Sequence, residues 1–68
     1  MTFGEAEQLM NQGKKVTHLY FSSNEWMIIN GFGEYEFEDG VSCPSSLFWY
    51  DRERSEWIDG WSLFDPKK

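Results

Sequence analysis

The chain has a single cysteine, Cys43, in 68 residues. No intrachain disulfide can form, and nothing points to an oxidising compartment. There is also one histidine, His18. One Cys and one His cannot close a metal site without carboxylates or a second subunit, so no metal and no cofactor are expected. The sequence has no Gly-rich phosphate loop, no Gly-x-Ser-x-Gly and no His-Glu-x-x-His. Basic residues are few: six Lys and Arg face twelve Asp and Glu, for a net charge of −6. Direct binding to a nucleic-acid backbone needs clustered Lys and Arg and is not expected here. No apolar run approaches bilayer length and no stretch reads as a signal peptide, so the expected location is a cytoplasm.

Aromatic residues are abundant. Four Trp, three Tyr and six Phe make up 19% of the chain. A disordered acidic tail would be poor in such groups. A chain this short buries a small share of its surface, and dense aromatic packing or oligomerisation offsets that. The charge suits solubility or a basic partner.

Residues 2–13 read as an amphipathic helix. Thr2 is the N-cap, and Glu5 three residues later completes a capping box. Phe3, Ala6, Leu9 and Met10 form one apolar stripe, and Gly13 fits the left-handed position past the end. Lys14 to Phe21 reads as a strand, Ser22-Ser23-Asn24 as a turn, and Glu25 to Asn30 as a second strand hairpin-paired with the first. Gly31-Phe32-Gly33 is another turn. The run Gly33 to Gly40, GEYEFEDG, alternates strictly over Glu34 to Glu38, the clearest strand signal in the chain. It turns Tyr35 and Phe37 inward and the glutamates outward. Asp39-Gly40 is a tight-turn dipeptide. Ser42 and Pro44 read as the start of a short helix over 45–53. Residues 55–59 read as a loop containing Trp57, and Gly60 to Asp65 as the last strand.

The sum is an α+β fold. An N-terminal amphipathic helix covers a small curved antiparallel sheet of about four strands, with a short second helix before the last strand. Residues 1–65 are expected to form one compact domain and 66–68 a frayed tail.

Chemistry-bearing residues are sparse. His18 is the one group with an ordinary pKa near neutrality. It is expected to be a sheet residue with a satisfied ring, and Cys43 a small buried hydrophobe before a helix. No catalysis is expected. The adjacent aromatics Phe48, Trp49 and Tyr50 cannot all face one core. Trp61, in period two with Leu63, is assigned to the core. Trp49 and Trp57, next to charged residues, fit either surface packing or ligand contact. Glu34, Glu36 and Glu38 lie roughly 7 Å apart along their strand, close to the spacing of successive phosphates. With Asp39 they form a candidate partner-binding face, or else only the wet side of a strand.

The opening MTFGEAEQLMNQGKKV resembles that of a phage family whose members begin Met-(Thr/Asn)-Phe-x-Glu-Ala and continue, after a spacer, Gly-Lys-x-Val. This is the Thoeris anti-defence type two family, formerly a domain of unknown function, some members of which carry an anti-CRISPR label. Family members then have a Trp-Asn-Gly, where this chain has Phe21 followed by Ser22-Ser23. Asp39-Gly40 matches the family's Asp-Gly turn. Asp59-Gly60-Trp61-Ser62-Leu63-Phe64 resembles its closing Asp-Trp and hydrophobic run, with one glycine inserted. The resemblance implies a non-enzymatic phage inhibitor of bacterial immunity, acting in the host cytoplasm. Such a homo-oligomer holds a cyclic ADP-ribose-type signal or a cyclic dinucleotide between subunits. Phe21, Ser22, Asn24, Trp26, Trp49 and Trp57 are the corresponding ligand-binding candidates, with Lys14, Lys15 or Arg52 for phosphate charge. The alternative is an acidic anti-CRISPR-type protein that covers the nucleic-acid site of a Cas or similar host protein through Glu34, Glu36, Glu38 and Asp39.

Overall fold

The computed structural model describes residues 1–65, and the tail expected at 66–68 lies outside the described residues. Helix α1 spans Phe3–Asn11. Its start is the expected capping box: Thr2 Oγ1 accepts from the Glu5 N–H at 3.3 Å, and Glu5 Oε1 accepts from the Thr2 N–H at 2.9 Å. Its end is a Schellman motif. The Gly13 N–H donates to Met10 O at 2.9 Å and the Lys14 N–H to Leu9 O at 3.1 Å.

Five strands follow: β1 Val16–His18, β2 Met27–Ile29, β3 Tyr35–Phe37, β4 Ser42–Cys43 and β5 Trp61–Leu63. They form one antiparallel curved sheet in the order β4-β3-β2-β1-β5. Two short helices, α2 Ser45–Trp49 and α3 Arg54–Trp57, bridge β4 to β5 across the sheet. The fold is α+β, with one strand more than expected. No helix of the described residues is long and apolar enough to cross a membrane.

The differences from expectation are local. Ser42 caps no helix; it pairs with Glu36 as part of β4. The Asp39 carboxylate accepts from the Val41 N–H at 3.0 Å, and Gly40 sits at φ +83°. This turn reverses the chain so tightly that Ser42 and Cys43 fall directly alongside β3. Pro44, extended, then stands at the helix N-cap with no side-chain bond. The helix expected over 45–53 stops at Trp49, where Arg52 Nη1 reaches back to Phe48 O. Part of the loop expected over 55–59 is instead helical: α3, Arg54–Trp57, is one turn of helix that carries Trp57 against β1. The first strand, expected to run to Phe21, ends at His18. There the imidazole Nδ1 takes the Tyr20 N–H at 3.1 Å and the chain turns.

Strand alternation divides the sheet into two faces. Val16, Met27 and Tyr35 point to the helical side and join Ala6, Met10, Phe48 and Trp61 in the core. Phe3 of α1 knits this core together by edge contacts to Tyr35, Trp49 and Trp61 at 5.0–6.3 Å between centroids. The aromatic content is thus spent mainly on packing. Ile28, Glu36 and Ser42 are paired in register on the opposite face, and Thr17 pairs with Ser62 there. The packing contacts of α1, α2 and α3 are all to side chains of the first face, so the second face carries no helix.

Gly60 is the tightest point of the frame. Its φ is +91°, and a Cβ there would meet His18 Nε2 at 3.0 Å and Leu19 Cδ1 at 3.1 Å. Gly60→Ala combines a strained backbone with displacement of a buried ring. We expect it to destabilise the fold by about 1–3 kcal/mol, read as a lower urea midpoint. A midpoint equal to that of the wild type would refute this assignment.

Candidate functional site

Three groupings of side chains are distinct enough to examine: the His18 centre, an aromatic cavity and the open face of the sheet.

His18 is buried, with 4% of its surface exposed. Its Nδ1 accepts the Tyr20 N–H, so the proton must sit on Nε2, which donates to Asp59 O at 2.7 Å. The imidazole stacks on Trp57 at 4.2 Å and meets Trp61 edge-on at 4.8 Å. Burial pushes its pKa below the ordinary value, and the Asp59 carbonyl and carboxylate oppose this only partly. The ring is satisfied on both nitrogens, as the sequence led one to expect. It faces no nucleophile and no open volume. Cys43 is half-buried, and burial pushes its thiol pKa up. Among the described residues no cluster of His, Cys, Asp and Glu is placed to hold a metal ion.

The cavity has a volume of about 200 Å³ and is lined by Phe3, Gly4, Trp49, Trp57 and Ile58. It lies where the start of α1 meets α2 and α3. The Phe3 N–H donates to Ile58 O at 2.8 Å and ties these walls together. Trp49 donates its indole N–H to Tyr35 Oη at 3.1 Å. Arg52 lies over Phe48 at 4.0 Å and over Trp57 at 5.2 Å, with its head hydrogen-bonded to Phe48 O.

The open face carries Glu36 of β3, and Glu34 and Glu38 flank that strand. Glu36 stands between Ile28 and Ser42 in the pairing register. Alternation puts Trp26 on this face with Ile28, and the Lys15 amine sits 4.3 Å from the Trp26 ring. Glu34 and Glu36 are half-buried and Glu38 is exposed. None of the three makes an ion pair among the described residues.

The structure therefore splits the candidate ligand residues. Trp49 and Trp57 share the cavity. Phe21 packs behind Trp57 and Trp61, each at 5.8 Å. Ser22 and Asn24 lie on an exposed turn closed by Glu25, whose carboxylate accepts from the Ser22 N–H. Trp26 is on the other side of the sheet. Of the acidic candidates the pairing register puts Glu36 on the open face. Glu34 and Glu38 lie just outside β3, Glu38 in the turn that follows, so the strand expected over 34–38 is shorter at both ends. Asp39 is taken up in its own turn. Phe3, Gly4 and Ile58 were missed as cavity residues. Phe3 belongs to an ordinary helix stripe, and no local pattern marks which stripe residue reaches a rim.

A scan against family models, a search of curated proteins and a search of solved structures each returned no match. The anti-defence resemblance accordingly rests on the residues quoted for it.

The His18 geometry has a pH consequence. A protonated ring would point an N–H at the Tyr20 N–H. The neutral form is favoured on folding, so its contribution is whole above the unfolded value near 6.5 and is lost as the pH falls through the lowered folded value. We expect the melting temperature to fall between pH 7.5 and pH 5, with this component absent in His18→Phe. Equal pH dependence in the two proteins would refute it.

Proposed function

We propose that the protein is a non-enzymatic inhibitor that covers a basic, nucleic-acid-binding surface of another protein with the open face of its sheet. The observation that supports this reading is the placement of Glu34, Glu36 and Glu38. Glu36 stands on the face no helix covers, Glu34 and Glu38 flank its strand on either side, and none of the three is ion-paired among the described residues. Trp26 and Ile28 beside them supply apolar contact, and the net charge of −6 steers encounter with a cationic groove. The strand fixes the backbone of Glu36 before binding, so no backbone ordering is required there. The resemblance extends this reading to a phage protein whose target is a host immune effector that handles nucleic acid.

The test is capture of target from bacterial lysate by the immobilised protein, with and without Glu34→Gln, Glu36→Gln and Glu38→Gln together. We expect the triple change to weaken capture at least about tenfold, roughly 1.4 kcal/mol, and both salt and duplex DNA to release the target. Capture indifferent to the substitutions and to salt would refute the proposal.

The second reading, sequestration of a cyclic nucleotide signal, is favoured by one observation: Trp49 and Trp57 meet at a cavity. At about 200 Å³ that cavity is below the roughly 300–1,000 Å³ of ordinary small-molecule sites. On this reading a second copy of the chain completes the site. Calorimetric titration with cyclic ADP-ribose isomers and cyclic dinucleotides at high protein concentration is then expected to release heat and to raise the mass of the complex. No heat with any of them would rule it out.

A further inference from the structure

The aromatic cavity lies on the helical side of the sheet, away from the acidic face, and the proposed inhibition makes no use of it. Among the described residues its lining side chains are Phe3, Trp49, Trp57 and Ile58, none of them charged. Gly4, at the second position of α1, also lines it. A Cβ built there would meet only Thr2 Oγ1, at 3.9 Å, so a side chain can be introduced at this wall without a clash at its base.

Volume selects the size of occupant. A cavity near 150 Å³ lined by apolar side chains admits benzene, and this one has about 200 Å³. It accepts one small ring system and no sugar or phosphate with it. Chemistry selects the rest. The Trp49 indole N–H is already given to Tyr35, which leaves that wall without its donor. Aromatic walls suggest a cation at first sight, but the π surface of Trp57 is engaged by the His18 ring at 4.2 Å and the Arg52 guanidinium at 5.2 Å. A cationic guest would be added to a guanidinium already held against that wall. A neutral ring gains edge contacts with Phe3 and Trp49 and incurs no such repulsion.

We propose that this cavity is a binding site for a single neutral aromatic ring of indole or benzene size. The ring comes either as a free small molecule or as the aromatic side chain of a peptide.

The test is a titration followed by amide and indole N–H chemical shifts, with indole as the first probe. Saturable shifts are expected at Gly4, Trp49, Trp57 and Ile58. Gly4→Leu fills the volume from α1 and is expected to abolish them. Ile58→Glu, on the exposed rim, is expected to weaken binding severalfold and guards against a Gly4 variant that fails to fold. Tetramethylammonium tests the cationic guest and adenosine monophosphate tests the nucleotide guest; neither is expected to produce saturable shifts at these residues. N-acetyltryptophanamide separates the two sources. Binding as tight as that of indole assigns the site to a peptide side chain, and binding of indole alone assigns it to a free molecule. The proposal is overturned by an absence of saturable shifts up to the solubility of indole. Unchanged binding in a folded Gly4→Leu protein, or tighter binding of either charged probe, overturns it equally. None of these results bears on capture through the acidic face, so the two proposals fail separately.

Discussion

The ring of His18 fastens the two ends of the chain's path to one another. It belongs to β1, yet its Nε2–H holds the carbonyl of Asp59, 41 residues later. Around it close the stack on Trp57, the edge contact with Trp61 and the bond from the Leu19 N–H to Gly60 O. Gly60 can pass that close only because it has no side chain. Strand β5 is then laid beside β1 in register, with His18 opposite Trp61. Without this junction α3 would have no reason to be helical, since four residues are far too few to be stable alone. The wall that Trp57 contributes to the cavity depends on the same stack. A polar residue thus does in this small core what a disulfide does in secreted domains of similar size: it ties distant segments where apolar area is scarce.

The elements most legible in the sequence were those whose signals are local and redundant. Thr2, Glu5 and Gly13 mark both ends of α1, and the structure uses all three. Alternation from Glu34 to Glu38 assigned Tyr35 to the core and Glu36 to the other side, as found, although the strand itself covers only Tyr35–Phe37. The elements that escaped are those imposed by neighbours. Two residues of β4 carry no periodicity, and Ser42 before Cys43-Pro44 is locally as good a cap as a strand residue. Only the tightness of the Asp39-Gly40 turn decides between them. Trp57 looked like a loop residue because α3 forms around its contact with His18.

The site was partly legible for the same reason. Glu36 was legible as an open-face residue because period two is a property of one strand, but that strand stops at Phe37 and leaves Glu34 and Glu38 outside it. The ligand candidates came from three segments, and their relation depends on register and on helix placement. A shift of one residue would exchange the faces of a whole strand. Trp26 shows this: Met27, next to it, is fully buried on the helical side, so alternation sends Trp26 to the face opposite Trp49 and Trp57.

The two faces also differ in what binding demands of them. Glu36 on the sheet face and Glu34 beside it are half-buried already, so part of their desolvation has been met during folding. Carboxylates close in sequence and without a basic partner among the described residues repel one another, and a cationic surface would relieve that repulsion under the proposed function. The long-range field of a −6 chain favours the same partner. A nucleotide phosphate meets the opposite situation. Arg52 is turned inward over Phe48 and Trp57, and the Lys15 amine sits on Trp26 across the sheet from the cavity. Neither of these two cations stands free beside the aromatic walls to hold a phosphate. Under the two proposals charge and geometry thus divide the molecule, a large polar contact on the sheet and a small neutral guest in the cavity.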